Sequence, residues 1–243
     1  MPLFTTSIQN QEQAASAGAI YFPTPPDLAQ FKTYGDEFNR ETLVPTDAYL
    51  LYTTAATGTG TAAMSLARRV RLTTSAVAGD DVDVRTSGFS FCRVAKFTDK
   101  RSIMEFNIIF ALVQTADTEV FIGLDDDGGA ITALPTTGIH LGIQYDASAS
   151  ANWFTTSSGG SQTTEDTSTA TSTALVRLRI IINGNNSATM ELYTGTGFTT
   201  LAYTDTVTSL AGDAQQLVLH FFVQTEAIAT PSLDVYEWTV KYS

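Results

Sequence analysis

Between Ser102 and Leu124 the chain alternates twice between large apolar and polar side chains. Met104, Phe106, Ile108, Phe110 and Leu112 occupy every second position, with Glu105 and Asn107 on the other face. This is the period of a strand with one side in a core. After a polar turn at Thr115 to Thr118, Val120, Ile122 and Leu124 repeat the pattern, which predicts two adjacent antiparallel strands. Further along, Val176, Leu178, Ile180 and Ile182 point one way while Arg177 and Arg179 point the other, toward solvent or toward acids on a neighbouring strand. Asn183-Gly184 is a hairpin signal leading into Ala188 to Tyr193. Leu217, Leu219, Phe221 and Val223 form another inward row, with His220 and Gln224 opposite. In the last segment Leu233 and Val235 are out of phase with Tyr236, Trp238 and Val240, so either a bulge lies there or both faces are covered.

Read this way, strands are expected near 47–53, 63–73, 84–97, 102–113, 119–124, 138–145, 152–156, 175–183, 188–193, 199–203, 217–225 and 232–242. About a dozen strands without helical spacing predict an all-β protein, a two-sheet antiparallel β-sandwich of about five to seven strands per sheet. Met104, Phe106, Phe110, Ile122, Leu178, Ile180, Leu219 and Phe221 are expected between the sheets. The segment Thr155 to Ala174 is mostly Ser and Thr without a large apolar side chain, and reads as a long exposed loop rather than a ragged hairpin.

Residues 1–35 differ from the rest. Gln and Ala dominate Gln9 to Ala17, and Pro23, Pro25 and Pro26 forbid regular structure just after a short Ala-Ile-Tyr-Phe run. They are expected to form an extended N-terminal arm, followed by a sandwich domain over 36–243. Such a segment buries too little apolar surface to order itself, so contacts with other subunits are expected to order it. Phe4, Ile8, Ile20, Tyr21 and Phe22 are its anchors for assembly, as a homo-oligomer, trimeric in the simplest case, or on a shell protein.

Composition agrees with β-structure, since about forty of the 243 residues are threonine and only 13 are Lys or Arg. The net charge of −12 argues against a nucleic-acid partner, whose phosphates demand the opposite sign. Charge is uneven. Met64 to Arg101 holds eight Lys or Arg against four Asp, a surplus of +4 that fits solvated strand edges or a charged partner. Cys92 has no second cysteine to pair with and alternates with its neighbours as a buried strand residue would. The N-terminus lacks the basic start and apolar run of a secretory signal, and no segment approaches the ~20 apolar residues of a membrane span, so neither export by that signal nor a membrane partner is expected.

Catalytic signatures are absent from the sequence. No metal-ligand spacing, nucleophile elbow or phosphate-cradling loop is present, and His140 and His220 lie in separate strands without a nucleophile beside them. Asp125, Asp126 and Asp127 are candidates for a hard cation such as Ca2+, but this run alone lacks the six to eight oxygen ligands in a recognisable spacing, and a solvated turn accounts for it. Glu105, Glu119, Glu191 and Glu237 are scattered over strands, with no facing pair evident for glycoside hydrolysis. No cofactor and no enzymatic activity are expected.

The ordered runs SIMEFNIIFALV, EVFIGLDDD, GIHLGIQYD, NWFTTSSGG, TEDTSTATSTALVRLRIIING, MELYTGTGFTTLA and SLDVYEWTV resemble the concanavalin A-like sandwich of the laminin G or glucanase type. More narrowly, they are similar to the version found in structural proteins of tailed bacteriophages. That resemblance covers about residues 84 to 242. It implies a jelly roll serving as a non-enzymatic virion component, a capsid decoration, head fibre or tail-associated protein that meets other virion proteins through its arm and is located on the virion. The alternative it leaves open is a carbohydrate-binding, lectin-like module for host attachment, with cell-surface glycans as ligand and Trp153 as the stacking residue. Trp153 equally suits a core position.

Overall fold

The computed structural model describes residues 32–36, 52–65, 69–86, 104–126, 129–159, 162–184, 186–208, 210 and 217–242. In chain order the strands are β1 (Lys32–Asp36), β2 (Tyr52–Ala56), β3 (Thr61–Ser65), β4 (Arg69–Thr73), β5 (Asp81–Thr86), β6 (Met104–Leu112), β7 (Thr118–Asp125) and β8 (Ile139–Asp146). They continue with β9 (Asn152–Gly159), β10 (Gln162–Ala170), β11 (Val176–Gly184), β12 (Ser187–Thr194), β13 (Thr200–Val207), β14 (Val218–Thr225) and β15 (Ser232–Tyr242). The helical content among them is one 3-10 turn at Thr196–Phe198.

All pairings are antiparallel. One sheet runs β13-β12-β11-β6-β15-β4-β3, with β1 as an eighth strand on β15, and the other runs β10-β9-β8-β7-β14-β5-β2. β15 is the spine of the larger sheet. Its whole length pairs with β6, while its opposite edge takes β4 at Ser232 to Val235 and β1 at Trp238 to Tyr242. β1 therefore straddles the boundary expected near residue 35, and the sheet begins by Lys32.

The alternation that defined the strands places their apolar rows between the sheets. The eight expected core residues are all buried there, from 0% exposure at Phe106 to 6% at Met104. Aromatic contacts cross the sandwich. The Phe110 ring of β6 meets Trp153 of β9 edge-on at 5.5 Å and 82°, and the Trp238 indole N–H of β15 donates to the Tyr52 hydroxyl of β2 at 2.7 Å. Between Val235 and Glu237 the register of β15 against β6 slips. That bulge is the cause of the phase change in the sequence, and it keeps Trp238 and Val240 in the core while Glu237 and Thr239 face outward.

Several expected elements are corrected. Thr155 to Ala174 is largely a hairpin, β9 and β10, paired from Gln162↔Ser158 to Ala170↔Asn152. Its Ser and Thr side chains lack apolar bulk, but they satisfy one another and the backbone, as when Thr167 Oγ1 donates to Trp153 O at 2.7 Å. The single strand expected over 63–73 is two strands, β3 and β4, paired with each other. Of the strands expected near 47–53 and 84–97, the described parts belong to Tyr52–Ala56 and Asp81–Thr86, and residues 47–51 and 87–97 lie outside the described residues; the larger sheet has one strand more than expected. Cys92 and the part of the basic segment from residue 87 to Arg101 lie outside the described residues. In its described part, Arg69 and Arg71 pair with Asp234, and Arg85 with Asp83.

Candidate functional site

The outer face of the eight-stranded sheet carries an open groove of about 320 Å³, at the lower end of the ~300–1,000 Å³ usual for small-ligand sites. Strand register builds it in rows. Glu237, Ile109, Arg177 and Tyr193 are successive neighbours across β15, β6, β11 and β12; the next row is Thr239, Asn107, Arg179 and Glu191. Lys241 and Glu105 begin a third row. These positions alternate with core residues, so the pattern that fills the core also fixes the groove.

One hydrogen-bonded chain organises its floor. Tyr193 donates to Glu191 at 2.7 Å, Arg179 donates to Glu191 at 2.9 Å and to Glu105 at 2.8 Å, and Asn107 donates to Glu105 at 2.8 Å. The hydrogen bond from Arg179 holds the Glu105 carboxyl below the usual range against the opposing effect of burial. Glu105 in turn raises the guanidinium of Arg179 further above neutrality. Glu105 is thus a fixed carboxylate with no proton to give, the opposite of what a general acid requires.

The outer face of the seven-stranded sheet is largely filled by its own chain. Gly123 and Gly142 are partners in β7 and β8, and a Cβ at Gly123 would meet Leu141 O at 2.5 Å and Gly142 Cα at 2.6 Å. The Phe121 ring lies against both glycines. Phe121, Phe222 and Ile131 make a second small core, with Leu134 against it. The segment that supplies Ile131 and Leu134 is fastened at several points. Ile131 N–H donates to Asp83 at 3.3 Å, Gln162 to Pro135 O at 3.0 Å, Gln224 to Thr132 O at 3.1 Å and Ile139 N–H to Asp126 at 3.0 Å. Beneath it, His220 Nδ1 is 3.0 Å from Asp83 and His140 Nε2 is 3.0 Å from Thr156 Oγ1. Both histidines are fully buried, and burial pushes the His140 imidazole below its usual range. These are structural polar groups.

Carboxylates do converge at one edge of that sheet, where Glu119, Asp146 and Glu226 bring ligand atoms within 4.8 Å of one another. Glu119 and Asp146 are register partners at the ends of β7 and β8. Asp146 accepts from Ser148 N–H at 2.9 Å and Ala149 N–H at 3.1 Å, and Glu226 from Ser148 N–H at 3.3 Å. Burial, then the hydrogen bond that its protonated form donates to Asp146, push the Glu226 carboxyl up to about 7; burial also raises Glu119. Against its burial, bonds led by Ser148 hold Asp146 below its usual range. The ligand atoms of all three lie within 4.8 Å of one another, closer than the ~5–9.5 Å at which glycosidases place their two carboxyls.

A pH dependence follows. Glu226 is raised on folding, so its contribution to stability is complete below its unfolded pKa and disappears as pH rises through about 7. The contribution of Asp146, which is lowered, is present above its unfolded pKa of 3.8 and lost in stronger acid. The melting temperature should therefore fall as pH rises from the unfolded value of 4.5 through about 7, by no more than about 4 °C for partly exposed groups. Glu226→Gln should flatten that slope in a thermal-shift series, and an unchanged slope would contradict the assignment.

The candidates from sequence are distributed differently. Trp153 is buried to 1% exposure, with Phe110 and Tyr145 against its ring, so a sugar cannot stack on it. Asp125 is buried, Asp126 caps Ile139 N–H, and Asp127 lies outside the described residues. Asp125 and Asp126 are not part of the carboxylate cluster found at Glu119. Phe4, Ile8, Ile20, Tyr21 and Phe22 also lie outside the described residues. The groove was missed as a unit. Its signal was present in the opposite parity of Glu105, Arg179 and Glu191 on strands that pair, but only the strand order makes them neighbours.

No protein-family model matches this chain, and no curated protein sequence does. Solved structures share its architecture. A protein of unknown function from Shewanella oneidensis MR-1 superposes with a TM-score of 0.58 at 13% identity, covering 100% of this chain and 94% of its own. Lectin II from Ulex europaeus gives 0.54 at 11% identity, over 87% of this chain and 98% of the lectin. A glycoside hydrolase family protein from Mycobacterium thermorestibile gives 0.59 at 9% identity, over 85% and 99%. At such identities the likeness is one of fold, and the fold is the concanavalin A-like β-sandwich.

Proposed function

We propose that the protein is a non-catalytic carbohydrate-binding sandwich whose ligand lies in the groove on the outer face of the eight-stranded sheet. The observation that carries this reading is the groove's chemistry. Asn107, Thr239, Glu237 and Lys241 offer donors and acceptors around an apolar strip at Ile109, the mixture that polyols with apolar ring faces require. Arg179 holds the Glu105 carboxyl below its usual range, which makes that acid a poor proton donor for glycoside cleavage. Likeness in fold to lectins supports sugars as the ligand class to test first; likeness to a glycoside hydrolase makes hydrolysis the necessary control.

A glycan array probed with the full chain should show reproducible binding, and incubation with each bound oligosaccharide should release no new reducing ends. Release that Glu105→Gln abolishes would make the protein an enzyme. Silence across neutral and charged glycans would remove the carbohydrate reading. The virion role is a second proposal, supported by the pairing of β1 with the spine strand β15, which would tie a docked N-terminal segment firmly to the sandwich. Full-length protein and a form lacking residues 1–31 should differ in assembly state, and identical monomers would speak against it.

A further inference from the structure

Resting on the carbohydrate reading, we propose that the groove is selective for sugars bearing a carboxylate, such as uronic acids, and that Arg177 is the residue that recognises the acid group. Five arginines are described. Arg69 and Arg71 pair with Asp234, Arg85 with Asp83, and Arg179 with Glu105 and Glu191. Arg177 differs from all of them. Its side chain has neither a carboxylate partner nor a hydrogen bond among the described residues; its Nε–H is buried and unpartnered, as is that of Arg85, whose guanidinium is nevertheless paired with Asp83.

Aromatic rings hold it instead. The guanidinium lies 4.1 Å from the Tyr193 ring centroid and 5.7 Å from that of Phe198. Phe198 reaches this position at a cost, with φ of 56°, a left-handed backbone conformation that a phenylalanine rarely adopts. It closes a short turn in which Gly195 and Gly197 are also left-handed, at φ 79° and 70°. Strain of this kind persists where the surrounding structure insists on it, and it accompanies binding sites. Here its effect is to help fix a planar cation in the wall of the groove.

A guanidinium held against aromatic rings retains its charge and its N–H edge. That edge matches a carboxylate with two parallel hydrogen bonds, the geometry a lysine ammonium cannot supply. The neighbouring acids do not compete, because Glu105 and Glu191 are already engaged by Arg179. Glu237 stands across Ile109, two strands away, which strand spacing makes about 10 Å. At that distance it is free to accept hydroxyls at the far end of the same sugar.

The test uses the full chain and two probes, an oligosaccharide containing glucuronic acid and its carboxyl-reduced counterpart, measured by calorimetry. The acid form should bind at least about tenfold more tightly, and the preference should weaken with salt. Arg177→Gln should erase the preference, so that the acid and reduced forms bind that variant equally; Arg177→Lys, which keeps the charge but not the fork, should retain only a small part of it. Equal affinity of wild-type protein for the two probes would overturn this inference and leave the carbohydrate reading standing, as would a preference that survives in both variants. Binding of neither probe would count against both.

Discussion

Replacing Phe110 with alanine will destabilise the sandwich by about 3–5 kcal/mol, the usual cost of emptying a large aromatic site in a core. The ring is fully buried in the middle of β6, and its edge-on contact with Trp153 spans the two sheets. Trp153 is also held by the Tyr145 ring at 5.7 Å, which limits how far the indole can move into the vacated space. Truncation therefore loses the transfer energy of the side chain, leaves an unfilled volume, and removes an aromatic pair of about 0.5–1.5 kcal/mol. For a chain of this length the melting temperature should fall by about 6–20 °C. Near-UV circular dichroism should report the loosened indole. A loss of under about 1 kcal/mol would mean that Phe110 is not at the centre of the core.

The second large effect is expected on binding. Thr239→Phe places a bulky ring on the groove floor beside Asn107 while removing no member of the hydrogen-bonded chain from Tyr193 to Asn107. Thr239 is an outward position on β15, and phenylalanine is at home in a strand, so stability should stay within about 1 kcal/mol. Affinity for any glycan captured by the protein should drop at least about tenfold, or 1.4 kcal/mol. Unchanged affinity in a folded variant would place the ligand elsewhere.

How much of this could be read from the chain differs by element. The inward rows of β6, β7, β11 and β14 were legible because their alternation is carried by large apolar residues whose burial dominates the energetics. The phase change at Tyr236 was legible as an irregularity, and the register slip between Val235 and Glu237 is its physical form. The β9 and β10 hairpin was not, because Thr and Ser give a weak apolar signal even where Thr155, Thr156, Ser157 and Ser158 are buried. Trp153 could be read either as a core residue or as a sugar platform, and only the packing of Phe110 and Tyr145 around it decides. The site was legible in residues and not in arrangement. Arg179 and its two acids lie in three separate stretches of sequence, and the order β12-β11-β6 brings them together. The convergence of Glu119, Asp146 and Glu226 needs the same knowledge.

The most direct test of the central claim is a titration followed through isoleucine methyl resonances. Ile109 lies on the groove floor, whereas Ile131 lies in the small core on the opposite sheet. Addition of a glycan selected from the array should shift the Ile109 methyl signal in proportion to occupancy and leave Ile131 in place. A shift of Ile131 with Ile109 silent would move the site to the seven-stranded sheet and contradict the groove.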